Sequence, residues 1–416
     1  MKDSGYLSSF LVTIWLWLRG FLRPKRILPT SPERILILGY AAIGDLIFFL
    51  PVIEALRRRY PRAKITFIAN KYATTEEILP ATGVIDEIWL SDCEGEEAEL
   101  EKTQINRRIH EAGFDLVLLS LPSPAHYFQW GLRDIPIRAG HCRILEAPHE
   151  SWSGLCYLWL RLRRGLIMGE WARRVFLNRI AWVPCEPEHV LKTNMRLLEA
   201  LGLGQPAGLP KPALSILKRH REAAQEKLGS HQGKRRIGVH LGAPNNQYGK
   251  MWDPGCFAEL CKCLSEKVAA QFVLIGGGGE EQSAKVALAA FPGMISLVGR
   301  CSLLETFAVI ETCDLLLAND TGLAKAAIVL GVPTATWWGP SDPREYGVAW
   351  ESEKHLDIRT RIWCSPCSRM GMPKEGPGIL NYTNCGHHDC LKKLTVDFAL
   401  KAILDKYASL LGVQGV

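Results

Sequence analysis

"RILILGYAAIGDLIFFLPVIEALRRRYPRAKITFIAN", residues 34–70, decides the fold. A short apolar run stops at Gly39, a loop carries Gly44, and a single acid follows at Asp45. A long apolar segment then closes on Arg57, Arg58 and Arg59 before a second apolar run begins at residue 63. Short apolar runs bounded by turn residues read as buried parallel strands, and the segment between them reads as a crossover helix. Pro51 marks either a kink or a first-turn position in that helix. Asp45 either caps the helix or does chemistry.

The pattern continues outward. "EIWLS" (87–91) and "FDLVLLS" (114–120) are further strands. A second series starts at residue 235: "RRIGVHLG", "CFAELCKCLSEKV", "QFVLIGGGGEE", "MISLVGR", "SLLETFAVIETC", "DLLLANDTG", "LAKAAIVLG" and "PTATWWGPSDP". Alternation of strand and helix implies open, doubly wound α/β sheets, here two of them. Between the series, "LGLGQPAGLPKPALSI" (201–216) is rich in glycine and proline and reads as a linker. The expected organisation is an N-terminal segment 1–30, a Rossmann-like domain 31–205, a linker 206–234, a second Rossmann-like domain 235–390 and a C-terminal helix 391–416.

Composition fits this reading. The 416 residues are 47% hydrophobic and 22% charged, as in an ordinary globular protein and not a disordered one. The formal charge of +7 suits an anionic substrate or a membrane surface, and equally plain solubility. Thirteen cysteines without secreted-scaffold spacing indicate a reducing compartment. At the N-terminus, "YLSSFLVTIWLWLRGFLRPKRILP" carries Arg19 within its apolar stretch and lacks a small-residue cleavage site. Trp15, Trp17 and Phe21, followed by Arg23, Lys25 and Arg26, suit a helix lying in a membrane interface. The segment 152–182 interleaves Trp159, Arg161, Arg163, Arg164, Trp171, Arg173 and Arg174. It suits either an amphipathic anionic acceptor or membrane surface, or an ordinary packed helix.

Chemistry-bearing residues concentrate at strand ends. Asp320, Thr321 and Gly322 fall where a strand gives way to a helix, a natural anion site that is also a good helix cap. Lys325, in the first turns, adds positive charge. Lys250 follows a polar loop and can meet a diphosphate as a point charge. Glu280 and Glu281 follow four glycines and can accept from ribose hydroxyls. The run does not match the dinucleotide fingerprint, which disfavours a nucleotide-dependent oxidoreductase.

In order along the chain, "GDLIFFLPVIEALRRRYP", "FDLVLLSLPSPAHYFQWGLRDIPIRAGH", "NMRLLEALGL", "LGAPNNQYGKMWDPGCFAEL", "LIGGGGEE", "NDTGLAKAAIVLGVPT" and "WWGPSDP" resemble glycosyltransferase family 9, the ADP-heptose:lipopolysaccharide heptosyltransferases. The resemblance implies a GT-B fold, with an acceptor domain and a donor domain facing across a cleft. It implies an inverting transfer of a sugar, heptose foremost, from a nucleotide-diphosphate donor to an anionic lipid-linked saccharide at the cytoplasmic face of the inner membrane. Nucleic acid is not among the expected partners. Alternatives are the same fold with another donor or acceptor, or a non-catalytic membrane-attached binding relative.

Residue by residue, the resemblance makes Asp45 the general base. It makes Lys250 the lysine that neutralises the departing diphosphate, Glu280 or its neighbour Glu281 the acid near the donor ribose, and Asp320, Thr321 and Gly322 the donor-binding triplet. Lys325 stands where the family usually has histidine. Arg133, Arg138 and Arg143 lie where the family presents basic residues to the acceptor. GT-B enzymes generally work without a fixed metal, although Asp320 could contact a diphosphate-bound Mg2+. Cys364 and Cys367, then Cys385 and Cys390, form either a structural Zn2+ site, reduced thiols without metal, or disulfides. The final segment, "LTVDFALKAILDKYASLLG", reads as an amphipathic helix, which in GT-B proteins can pack back across the N-terminal domain.

Overall fold

The apolar runs from residues 34 and 235 build two parallel sheets of six strands. The computed structural model describes residues 31–39, 42–69, 73–91, 98–120, 129–143, 176–184, 186–230, 233–242, 248–367 and 385–413. The first sheet contains β1 (Arg34–Leu38), β2 (Lys64–Ala69), β3 (Glu87–Leu90), β4 (Leu116–Leu119), β5 (Ile137–Arg143) and β6 (Arg179–Val183). Its order is β3-β2-β1-β4-β5-β6. The second contains β7 (Arg235–His240), β8 (Ala270–Leu274), β9 (Ile295–Ser296), β10 (Leu315–Asn319), β11 (Thr334–Trp337) and β12 (His355–Ile358), ordered β12-β11-β10-β7-β8-β9. Each sheet thus steps from its first strand to the second and third on one side, and to the fourth, fifth and sixth on the other. The connection reverses between β1 and β4, and again between β7 and β10. In such sheets ligands bind beyond the strand carboxyl ends at that switch point.

By contacts the chain divides into Met1–Ala41 with Phe48–Pro210, and Ala42–Ile47 with Lys211–Val416. In the first unit the helices are α1 (Ile43–Arg59), α2 (Ala73–Thr82), α3 (Ala98–Ala112) and α4 (Val190–Ala200). The first turn of α1, to Ile47, is counted with the second unit. Pro51 lies in the interior of α1 and not in its first turn. Leu36, Leu38, Ile68, Val117 and Leu119 from the sheet meet Ile105, Ile109 and Phe114 in a core where every one of them is buried. β1 and β4 are apolar on both faces because helices cover a parallel sheet on both sides.

The second unit carries α5 (Lys218–Leu228), α6 (Pro254–Ser265), α7 (Glu281–Ala290), α8 (Leu303–Glu311), α9 (Gly322–Leu330) and α10 (Val396–Leu411). Two expectations are corrected here. A linker reaching residue 234 gives way to α5, whose Arg221 forks onto Glu311 at 2.6 and 2.9 Å while Lys227 meets Glu305. The extended stretch therefore ends near residue 217, where α5 docks on α8. The break between the two units falls at Pro210, inside the expected linker, but 42–47 go with the later residues. Helix α10 packs within its own unit. Ala399, Ile403, Leu404, Tyr407 and Leu411 enter the same core as Phe257, Leu260 and Trp337, and the Tyr407 hydroxyl donates to the Thr334 carbonyl at 2.7 Å.

Residues 1–30, and 152–175 of the Trp/Arg-rich stretch, lie outside the described residues; the end of that stretch supplies β6 instead of a helix. No helix among the described residues is long and apolar enough to cross a membrane.

Candidate functional site

Strands β7 and β10 end side by side, and Asn319 ties their ends together. Its side-chain amide donates to the Leu241 carbonyl at 3.0 Å, and its oxygen accepts from the Trp252 amide at 2.9 Å. Trp252 is held from the other side: its indole stacks on Trp337 at 5.0 Å, and its Nε1 donates to the Leu394 carbonyl at 2.9 Å. Lys250, two residues earlier, therefore hangs from a fixed anchor. Its ammonium lies 3.5 Å from Asp320 Oδ2.

Asp320 follows β10, and α9 begins at Gly322 with Thr321 as its N-cap. First-turn amides of a helix have no intrahelical acceptor, and the dipole there favours an anion. Thr321 is buried, and its Oγ1 has no hydrogen-bond partner among the described residues. A buried hydroxyl at a helix start, short of a partner, is what a phosphate oxygen would complete.

Asp320 and Lys325 are both almost wholly buried, and their charges meet at 2.5 Å. The Lys325 ammonium also sits 4.2 Å from the Trp338 ring centroid, and Trp338 Nε1 donates to Asp357 at 2.7 Å. Burial alone would raise the Asp320 carboxyl; the charges of Lys325 and then Lys250, with a hydrogen bond from Ser341, overcome it and hold the group down at about 2. Burial works to lower the Lys325 ammonium, and the charge of Asp320 opposes that loss. Asp320 is a carboxylate at neutral pH. Burial acts on Asp357 too and raises its carboxyl, against the Trp338 hydrogen bond and Lys325.

Glu280 reaches the same region from the β8 side. Its carboxylate rests over two glycines: a Cβ on Gly242 would lie 2.1 Å from its carboxyl carbon, and one on Gly276 would lie 2.0 Å from Oε2. Only glycine at both positions leaves room for it. His240 Nδ1 lies 3.1 Å from the Ile275 carbonyl oxygen and 3.4 Å from Glu280 Oε2. Glu280 Oε2 itself is buried without a hydrogen-bond partner among the described residues. Glu281, the first residue of α7, is exposed.

Asp45 lies in the first turn of α1, half-buried, within the 42–47 segment of the second unit. Glycine contacts fix that turn. A Cβ on Gly322 would fall 2.4 Å from Ile43 Cβ, and one on Gly44 would fall 3.1 Å from Lys325 Cγ. The turn bearing Asp45 is thus seated on the start of α9, beside the Asp320–Lys325 pair.

The arginines separate. Arg138, on β5, donates to the carbonyls of Phe176 and Ile135, both at 2.6 Å, and to Arg133 at 3.4 Å. It holds the backbone. Arg133 pairs with Asp134 at 3.1 Å and is one-third exposed. Arg143 ends β5.

The four C-terminal thiols are free, not in disulfides. The His388 amide donates to Cys385 Sγ at 3.3 Å. Burial, reinforced by Cys364 and Cys385, pushes the Cys367 thiol up, and burial with Cys367, Cys385 and Cys364 pushes Cys390 up to about 11. The thiols are near enough to feel one another's charge. Among the described residues, however, no three Cys, His, Asp or Glu groups converge as a metal ion requires.

Sequence reasoning passed over Asn319, Trp338 and Ser341. All three flank or lie inside motifs already quoted, but their partners are far apart in the chain.

Residues 161–376, just over half of the chain, match the family described as glycosyltransferase family 9 (heptosyltransferase). Lipopolysaccharide heptosyltransferase 2 of Escherichia coli K12 is 24% identical over 319 residues, covering 74% of this chain and 84% of that protein. The solved E. coli ADP-heptose lps heptosyltransferase II aligns with a TM-score of 0.63 at 21% identity, covering 91% of this chain and 98% of that one. A glycosyl transferase family 9 structure from Veillonella parvula aligns with a TM-score of 0.64 at 20% identity, covering 92% and 99%. At these identities the two structures speak to the fold, which is the GT-B class of paired Rossmann-like units. The chain belongs to glycosyltransferase family 9 and is a glycosyltransferase.

Proposed function

We propose that the protein transfers heptose from ADP-heptose to a lipid-linked saccharide of the lipopolysaccharide inner core, with inversion at the anomeric carbon. The observation that carries the donor half is the buried, unpartnered Thr321 hydroxyl at the start of α9, with Lys250 beside it. The names of the curated relatives supply the sugar and the acceptor.

In this reading the diphosphate lies against the α9 amides, Thr321 Oγ1 and the Lys250 ammonium. Glu280 accepts from the ribose hydroxyls. Asp45 takes the proton of the acceptor hydroxyl, whose oxygen bonds to the anomeric carbon as the bond from that carbon to the diphosphate breaks. Inversion needs the base on the face opposite the leaving group. The α9 start then holds the charge that develops on the leaving ADP, which is where such a site accelerates the step. No step is routed through Mg2+: a carboxylate flanked by two ammonium groups is a poor seat for a divalent cation. Arg133 and Arg143 are offered to the anionic acceptor. Residues 1–30 are proposed to rest on the cytoplasmic face of the inner membrane.

The test is release of ADP from ADP-heptose on a heptose-free lipopolysaccharide core, with Asp45→Ala beside the wild type. Turnover by wild type and a loss of about a hundredfold in the variant are expected of a general base. Absence of turnover with this donor and acceptor would reject the heptose assignment. A variant as fast as wild type would reject Asp45 as the base.

A further inference from the structure

Lys325 looks from the sequence like a donor contact, and its surroundings argue otherwise. Asp320 closes one side of its ammonium at 2.5 Å and the Trp338 ring another at 4.2 Å, while its stem packs where the Gly44 backbone approaches. Its side chain is 4% exposed, against 20% for Lys250. The two lysines divide the two oxygens of Asp320: Lys325 takes Oδ1 at 2.5 Å, and Lys250 stands at 3.5 Å from Oδ2.

We infer that Lys325 is a positioning residue: it is the permanent counter-ion of Asp320, so that Lys250 can turn its charge to the donor diphosphate without stranding a buried carboxylate. The inference rests on the donor reading above and deepens it. Within the Lys250–Asp320–Lys325 cluster, one negative and two positive charges leave one positive charge over. That surplus is what a diphosphate would neutralise. Without Lys325, Lys250 would be the cation left beside Asp320 among the described residues, and a buried carboxylate holds its last counter-ion strongly. Lys250 would then be spent inside the protein.

The inference predicts a rescue. ADP binding is measured by calorimetry for wild type, Lys250→Ala, Lys325→Met and the double variant Lys325→Met/Asp320→Asn. Lys325→Met should weaken ADP about tenfold or more, the scale of one lost charge-assisted hydrogen bond. The double variant should recover most of that loss, because no carboxylate is left to capture Lys250. Thermal melts on the same proteins should follow the same order, with the neutral double variant more stable than Lys325→Met alone. A double variant that binds ADP as poorly as Lys325→Met would overturn the inference and make Lys325 a direct diphosphate ligand. Unchanged ADP affinity in Lys325→Met would overturn it as well. Failure of wild type to bind ADP would defeat the donor reading instead, and the melts would still decide whether Lys325 is the partner of Asp320.

Discussion

Gly242→Ala isolates the seat of Glu280 from everything else at the site. The new methyl carbon would stand 2.1 Å from the Glu280 carboxyl carbon, and 2.4 and 2.5 Å from its oxygens. Ordinary contact begins near 3.5 Å, so the carboxylate must retreat by more than about 1 Å. Gly242 is not among the glycines with positive φ, so alanine meets no backbone strain there. What moves is the end of one side chain, and the stability change should stay within about 1 kcal/mol. If Glu280 accepts from the donor ribose as proposed, a carboxylate displaced by that much loses this hydrogen bond, worth about 1.5–3 kcal/mol, or roughly ten- to a hundredfold in donor affinity. Initial rates against donor concentration, with a melting curve on the same preparation, read both quantities, and Glu280→Gln gives the reference. Gly242→Ala should raise the donor KM about as far as Glu280→Gln does, at a nearly unchanged melting temperature. A donor KM equal to wild type in Gly242→Ala would refute the reasoning. So would a melting temperature lower by many degrees, since that would make the seat a structural fixture.

Two further outcomes follow from the charges. His355 is buried, its Nδ1 lies 3.0 Å from the Thr334 hydroxyl, and burial holds its imidazole down at about 4. Its folded value lies below its unfolded one, so the stability it contributes is complete above pH 6.5 and is lost as pH falls toward 4; the loss amounts to about 3 kcal/mol. Urea unfolding at pH 7.5 and 4.5 should show that loss, and a His355→Gln variant should show a flatter profile. Turnover should be insensitive to EDTA, because Lys325 and Lys250 already neutralise Asp320; a strict requirement for added Mg2+ would contradict this.

The sequence disclosed those elements whose character is local. β1, β4 and β10 are nearly continuous apolar runs, and burial on both faces makes such strands legible. β12 reads "HLDI" and β5 reads "IRAGHCR". Arg138, His141 and His355 in them bond to backbone or buried groups, so neither strand stands out by apolar run alone. Asp320, Thr321 and Lys250 were visible as residue types at strand ends. The partners that give them meaning were not: Asn319 reaches Leu241 and Trp252, and Ser341 reaches Asp320, across separations that no window of sequence spans. Arg138 shows the converse. Its type and place suggested a ligand, and only the fold reveals three backbone carbonyls waiting for it. The stretch 218–228 continues a glycine- and proline-rich linker in the sequence, but its Arg221 and Lys227 find Glu311 and Glu305 on a neighbouring helix.

The turn bearing Asp45 has a consequence for anyone recombining this protein with its relatives. Residues 42–47 sit near the start of the chain, yet Gly322 and Lys325 shape the surface on which they rest. A chimaera spliced only near residue 210 would pair one parent's turn with another parent's helix start. Ile43 would then face whatever replaces Gly322, and even a single methyl group there is too much. A functional exchange of donor halves needs three crossovers, on either side of 42–47 and after Pro210, with the six-residue insert travelling alongside the distant C-terminal half. Inheritance at this site follows contact and not chain order, and drift at 43–44 should be answered by drift at 322 and 325.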